Sequence, residues 1–239
     1  GPEVSVFAFC DGENLSPLVA ACDYKRLGEG DQGPNTGGMG SFAPPDLWSA
    51  DLSEEINRTI MVPVVRAMAH RGAPYKGVLY AGIMLTPDGP KVLEFNCRLG
   101  DPETQVVLPL LESSLLDPML EVARGGRLGG AALEWSGGAA LTTVVASEGY
   151  PGDYGKGRSI EIPDRLNSDP DVLLFHAGTR LGSDGLETSG GRVIAATGLG
   201  STLSQSADKS RKAAAAIEFE GKQFRTDIGW REFARSERE

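Results

Sequence analysis

Apolar and polar positions fall into two periods along the chain, one suited to strands and one to helices. Residues 4–10 and 15–22 read as strands joined by a turn at Asp11-Gly12-Glu13-Asn14, where the Asp-Gly pair suits the positive φ angles of a hairpin. Residues 23–46 are rich in glycine and read as a long loop. Over 52–70 the apolar side chains Leu52, Ile56, Ile60, Val64, Val65 and Met68 recur at helical spacing, with Asp51 or Ser53 as N-cap. Pro63 inside that stripe is expected to kink or break it. Residues 77–86 and 91–97 are predicted strands, with a turn at 86–90 between them. Asp101-Pro102-Glu103-Thr104 predicts a helix start, Asp101 as cap and Pro102 in the first helical position, and one or two helices then run to Arg124. The glycines of 125–130 mark a flexible domain boundary. Beyond it, predicted strands at 139–147, 158–162, 172–177 and 191–198 alternate with Gly/Asp turns. Thr202-Leu203-Ser204-Gln205 is a capping box opening a helix to Phe219, and residues 225–233 close the chain. The pattern is that of two α+β units.

Composition narrows the classes. Hydrophobic residues make up 40% and charged residues 23%, near the globular average, which excludes global disorder. No apolar run approaches the ~18 residues of a membrane span, so no membrane partner is expected. No basic–apolar–small leader opens the chain, and a cytoplasmic location is expected. Lys and Arg total 23 against 33 Asp and Glu, a net charge of −10 that repels a phosphate backbone, so no nucleic-acid partner is expected. Cys10, Cys22 and Cys97 are odd in number and widely spaced, which fits neither a zinc pattern nor a disulfide framework. They read as buried small apolar groups in a reducing compartment. Of the two histidines, His70 is expected at the surface and His176 in the core of an apolar strand, which leaves little for a histidine-based relay.

Three stretches can carry chemistry. Side chains alternate faces along a strand, so in Glu94-Phe95-Asn96-Cys97-Arg98 the groups of Glu94, Asn96 and Arg98 share a side. Same-face neighbours lie about 7 Å apart, close enough for a carboxylate and an amide oxygen to reach one hard cation such as Mg²⁺. Arg98 offers a two-pronged donor face to a phosphate or carboxylate. A solvated strand face with a salt bridge is the bland alternative. Next, a helix starting at Asp101 would aim free N–H groups back at Arg98, an anion site, or Asp101 caps it and nothing more. Finally, Gly33-Pro34-Asn35-Thr36-Gly37-Gly38-Met39-Gly40 follows Asp23-Tyr24-Lys25-Arg26. Glycines there let backbone N–H groups approach an anion or let a lid move; a plain surface connection is the alternative. Gly152-Asp153-Tyr154-Gly155-Lys156-Gly157 resembles a phosphate loop only superficially, since its spacing is wrong and no Ser or Thr follows Lys156.

Taken in order, these motifs with Gly100-Asp101-Pro102-Glu103-Thr104 resemble the glycinamide ribonucleotide synthetases, the phosphoribosylamine–glycine ligases of the ATP-grasp superfamily. The second half agrees through Gly149-Tyr150-Pro151-Gly152-Asp153-Tyr154, Phe175-His176-Ala177-Gly178-Thr179, Gly190-Gly191-Arg192-Val193 and Arg225-Thr226-Asp227-Ile228-Gly229-Trp230-Arg231. The resemblance implies an α+β fold. Residues 1–128 would be the C-terminal part of an ATP-grasp domain, a mixed or antiparallel sheet with flanking helices, and residues 129–239 a small α+β C-terminal domain. It implies purine biosynthesis, with glycine, 5-phosphoribosylamine and ATP as substrates and Mg²⁺ or Mn²⁺ as cofactor. Glu94 and Asn96 match the family's metal ligands. Lys25 is implied to touch the terminal phosphate of ATP, and Arg98 to steady the transferring phosphoryl group. The resemblance also implies that Gly37, Gly38 and Met39 belong to a closing loop over the acceptor site, with Asp23 beside it and Asp101 among the substrate residues, and that Arg192 and Arg180 hold the ribose 5-phosphate.

Two departures stand out: residues 80–85 offer no further acidic metal ligand, and Tyr24 replaces the family's usual His. The family's preATP-grasp domain and the half that clamps adenine are expected upstream of Gly1. A missing N-terminal half, or later purine-pathway domains, are thus implied partners, and the isolated chain is expected to be inactive. A non-catalytic fragment, or a ligase for another small carboxylate and amine, remain open alternatives.

Overall fold

The computed structural model describes residues 1–128 and 133–236. In chain order the strands begin with β1 (Glu3–Asp11), β2 (Val19–Asp23), β3 (Arg26–Gly28), β4 (Gln32–Asn35) and β5 (Gly40–Ala43). They continue with β6 (Lys76–Thr86), β7 (Gly89–Asn96), β8 (Ala139–Ser147) and β9 (Val172–His176). The last are β10 (Thr179–Gly182), β11 (Gly185–Thr188), β12 (Arg192–Gly200) and β13 (Lys222–Gln223). The helices are α1 (Ala50–Ile56), α2 (Val62–His70), α3 (Thr104–Val107), α4 (Leu116–Arg124), α5 (Asp164–Ser168), α6 (Leu203–Ala216) and α7 (Trp230–Ser236). Two compact units interleave in sequence. The first comprises residues 1–22, 44–100 and 110–136; the second comprises residues 23–43, 101–109 and the chain from Gly137 on. The glycine-rich boundary expected at 125–130 reaches into residues 129–132, outside the described residues.

In the first unit the strand order is β7-β6-β1-β2 and every pairing is antiparallel. β1 is buried at every position after Glu3, which is why its sequence reads as an almost unbroken apolar run. It pairs along its length with β6, from Glu3 opposite Met84 to Asp11 opposite Lys76. Residues 50–70 form one helical run as the spacing predicts, but its cap is Ser49, whose Oγ accepts from the Leu52 N–H at 3.1 Å, and neither Asp51 nor Ser53. Pro63 does not break it. Residues Asn57–Met61 widen into a π turn in which the Val62 N–H reaches back five residues to Asn57. That rerouting accommodates a proline with no N–H to give to the carbonyl four residues behind it.

The turn after β1 is knotted by Asp11. Its carboxylate accepts from the backbone of Glu13 (2.9 Å), Asn14 (2.7 Å) and Leu128 (2.8 Å), and from the Asn14 amide (3.1 Å). Burial works against its charge, but the N–H groups of Asn14, Leu128 and Glu13 prevail and draw its pKa down to about 2. A carboxylate lowered on folding stabilises above its unfolded pKa and loses that contribution as pH falls through the folded value. Asp11→Asn is therefore expected to cost on the order of 1–2 kcal/mol at neutral pH and to flatten the acid limb of stability between about pH 4 and 2. Urea midpoints measured across that range check it; parallel acid limbs for the two proteins would contradict it.

In the second unit the order is β5-β8-β12-β9, with β13 on the edge of β8 and all pairings antiparallel. β8 is buried at all its positions. Its threonines are tolerated there because they are bonded: Thr197 Oγ1 donates to Thr142 Oγ1 at 2.9 Å, and Thr143 meets Ser210 at 2.7 Å. α6 lies against β8 and β12. Gly198 allows that approach, since a Cβ there would stand 2.3 Å from the Ser206 carbonyl oxygen. A second layer of core joins Val145, Ile194, Val172, Leu166, Ile217 and Phe219.

Several expectations need correction in this unit. Residues 23–46 are not one loop, for they contain the β3–β4 pair and β5. Residues 158–162 do not form the expected strand but make isolated bridges, Ser159 to Glu187 and Glu161 to Glu218. Thr202 does cap α6, accepting from Gln205 N at 3.3 Å, but the Gln205 side chain returns to Ser201 and not to Thr202. α6 stops at Ala216, and the exposed hairpin β10–β11 carries no apolar alternation that would have announced it. His176 ends β9 in solvent, beside Thr179, and is no core residue. In the first unit, Cys10 and Cys22 are buried as expected, whereas Cys97 is exposed just past β7. The architecture is α+β, as expected. No helix among the described residues is long and apolar enough to cross a membrane.

Candidate functional site

In the first unit, β7 is the edge strand, and strand alternation places Glu94 and Asn96 on one face. Glu94 is exposed and Asn96 half-buried, and the Asn96 Nδ2 donates to Glu94 Oε1 at 3.0 Å. Gly82 stands opposite Glu94 on β6, and a Cβ added there would come within 3.3 Å of Glu94 Cγ. The glycine thus leaves Glu94 the room it occupies. Rotating the Asn96 amide presents its oxygen next to the carboxylate. Two oxygens of this kind suit a hard dication, which takes a few protein ligands and completes its shell with phosphate and water. No group of three or more His, Cys, Asp or Glu able to hold a metal occurs among the described residues. The pair therefore fits a metal–phosphate complex and not a cage made wholly of protein groups. Arg98, exposed, folds its Nη1 back onto the Leu99 carbonyl at 3.0 Å.

The second unit opens on Asp23, Tyr24 and Lys25. Lys25 Nζ lies 3.6 Å from Asp23 Oδ1; the lysine side chain is 38% exposed and the aspartate 7%. Residues 36–39 are strapped to this segment. Thr36 donates to the Lys25 carbonyl through its N–H (2.7 Å) and its hydroxyl (2.8 Å), Gly38 N–H donates to Thr36 Oγ1 (3.0 Å), and Met39 N–H donates to the Tyr24 carbonyl (2.7 Å). The loop is thus a fitted piece and not a loose connection. Gly38 has φ +111°, and a Cβ there would lie 2.3 Å from Pro102 Cδ, so this position admits glycine alone. The Met39 side chain is buried, which leaves only its backbone to offer to a ligand.

Arg192, at the start of β12, grips the same loop. Its Nη1 donates to the Gly37 carbonyl at 2.8 Å, and its fork meets the Asp101 carboxylate through Nη1–Oδ1 (3.1 Å) and Nη2–Oδ2 (2.9 Å). Asp101 consequently does not cap a helix. α3 begins at Thr104 and is four residues long, too short for the anion site expected at its start. The arginine fork outcompetes the helix N–H groups for the carboxylate because it brings charge as well as two aligned donors. Tyr150, to which the sequence assigned no role, accepts from the Gly37 N–H at 2.9 Å. Arg180 sits on the β10–β11 hairpin and pairs with Glu187 at 2.5 Å. A separate cavity of about 520 Å³ opens among α5, β9 and α6, lined by Arg165, Lys209 and Lys212, and none of the predicted site residues borders it.

Residues 1–104 match the family model of the phosphoribosylglycinamide synthetase ATP-grasp (A) domain, and residues 140–231 match its C domain. The phosphoribosylamine–glycine ligase of Rhizobium meliloti is 45% identical over 236 residues, 98% of this chain and 55% of that protein. The trifunctional purine biosynthetic protein adenosine-3 of Homo sapiens is 48% identical over 98% of this chain and 23% of its own length. The crystal structure of phosphoribosylamine–glycine ligase from Thermotoga maritima superposes with TM-score 0.84 at 36% identity, over 95% of this chain and 55% of that one. The biotin carboxylase domain of a Hydrogenobacter thermophilus carboxylase, solved with MgADP and bicarbonate, superposes with TM-score 0.63 at 16% identity, a likeness of fold. The chain spans about half the length of the bacterial ligases it matches.

Proposed function

Since the chain belongs to the phosphoribosylglycinamide synthetase family, we propose that it supplies the metal- and acceptor-binding part of an ATP-dependent phosphoribosylamine–glycine ligase. Residues 1–128 serve as the C-terminal part of the ATP-grasp domain and residues 129–239 as the C-terminal ligase domain. The reaction activates a poor electrophile. The glycine carboxylate takes the γ-phosphoryl of ATP, giving glycyl phosphate and ADP; the amine of 5-phosphoribosylamine attacks the carbonyl, and inorganic phosphate leaves as the amide forms. Such chemistry needs positioning and charge neutralisation more than a protein nucleophile, which agrees with a chain carrying only two histidines.

The observation that carries the reading is the Glu94–Asn96 pair, two hard donors held together on an accessible strand edge. They would hold Mg²⁺ or Mn²⁺. The chemistry a dication would supply there is charge neutralisation and orientation of the terminal phosphates of ATP. Lys25 contacts the terminal phosphate as a point charge. Arg98 gives its fork to the transferring phosphoryl group, exchanging the Leu99 carbonyl for it. The 37–39 loop closes over the acceptor, with Asp23 and Asp101 beside it. Arg192 contributes to the ribose 5-phosphate end, and Arg180 assists there once released from Glu187.

Assayed at its full natural length, the protein is expected to release ADP and phosphate only when glycine and 5-phosphoribosylamine are both present. Mass spectrometry should then find glycinamide ribonucleotide in equal amount. Equal ADP release with an unrelated carboxylate and amine would overturn the substrate assignment, and no ADP release with any pair would overturn the ligase reading itself.

A further inference from the structure

The motif Arg225-Thr226-Asp227 close to the C-terminus has no role in the reaction just described, yet it holds the most deeply buried cation described. Arg225 is 1% exposed. Its Nε and Nη2 meet the two oxygens of Asp227 at 2.7 and 2.8 Å, and its Nη1 meets Asp31 at 3.1 Å and the Arg26 carbonyl at 3.0 Å. Its guanidinium lies over the Tyr24 ring, 5.0 Å from the centroid, and Arg231 lies over the same ring at 5.6 Å while pairing with Asp31. Neighbouring bonds extend the clamp. Asp227 accepts from the Gly30 N–H at 2.8 Å, and Glu29 accepts from Thr226 N (3.1 Å) and Oγ1 (2.5 Å).

Lys25 stands between two residues that Arg225 touches, Tyr24 by its ring and Arg26 by its carbonyl. Its own carbonyl is taken by Thr36. Its backbone is therefore held through its own carbonyl and through both neighbours while its side chain remains 38% exposed. A buried ion-pair cluster is a poor means of gaining stability, since well-packed apolar groups commonly serve as well or better. What a planar fork with fixed partners does provide is a defined geometry. We propose that Arg225 is a positioning residue for Lys25, setting where its ammonium meets the terminal phosphate of the nucleotide. This rests on the reading of Lys25 given above.

The test uses the protein at full natural length and steady-state ADP release, comparing Arg225→Lys, Lys25→Ala and the double variant. R225K keeps the charge and loses the fork. It is expected to raise KM for ATP about tenfold and leave KM for glycine within about twofold, and on the K25A background to add less than about twofold. Single effects that multiply in the double variant, or equal rises in both KM values, would overturn the proposal while leaving the role of Lys25 intact. Normal turnover by K25A would instead overturn the reading of Lys25, and the proposal with it. Should R225K not fold, Asp31→Asn removes one carboxylate and keeps the Arg225–Asp227 pair. It must then show the same selective rise in KM for ATP and the same silence on the K25A background; its failure to do so defeats the inference.

Discussion

Replacing Glu94 by alanine is expected to abolish most turnover, by about 10²–10³-fold in kcat/KM, because the cation–phosphate complex loses its anionic protein ligand. Asn96 beside it carries no charge, and no group of three or more His, Cys, Asp or Glu occurs among the described residues to replace the lost carboxylate. Stability should hardly change. Glu94 is exposed on an edge strand, and its loss leaves no cavity and no buried unpaired group, so the change should stay within about 0.5 kcal/mol. Glu94→Gln keeps an oxygen and removes the charge; it should fall between wild type and alanine and recover in part at high Mg²⁺. Near-normal turnover of the alanine variant at saturating Mg²⁺ would sink the assignment of this pair.

Arg192→Ala is expected to damage both stability and catalysis. The side chain joins the Gly37 carbonyl to the Asp101 carboxylate, and its removal frees both. Charge-assisted bonds of this kind contribute about 2 kcal/mol together once the half-exposed carboxylate is discounted for solvent. For a chain of this size that corresponds to a fall of roughly 4–8 °C in Tm. Because the loop carrying Gly37 and Gly38 loses its latch, kcat/KM should fall about 100-fold, with KM for 5-phosphoribosylamine rising most. A Tm within about 1 °C of wild type would show that Arg192 does not hold the loop, and an unchanged KM for 5-phosphoribosylamine would separate it from the phosphate end.

Arg192 also shows why parts of the site were opaque beforehand. Its partner Asp101 lies 91 residues away, and locally Asp101-Pro102 has every mark of a helix cap. The local signal was genuine and was outcompeted by a stronger, distant donor. Ser49 was missed as the cap of α1 for a smaller reason: Asp51 and Ser53 are equally good capping residue types, and only backbone geometry chooses among them. An apolar β9 predicts a buried His176, but His176 is the last residue of a strand at the edge of the sheet and faces solvent. The Arg225 cluster was visible only as a run of letters. Nothing near residue 225 indicates that its partners include Asp31 and Arg26.

Short-range physics was legible from the amino-acid order alone. The long apolar strands β1, β6, β8 and β12, the helical stripe over 52–70, and the shared face of Glu94 and Asn96 all follow from side-chain periods of 2 and 3.6. Tertiary structure decided what those periods do not encode. Chain closure brought Arg192 to Asp101 and Gly37, turned Tyr150 onto the loop, and set Arg225 against Tyr24 and Arg26, the neighbours of Lys25. Periodicity is a property of neighbours along the backbone, whereas these contacts depend on where remote segments meet once the core is packed.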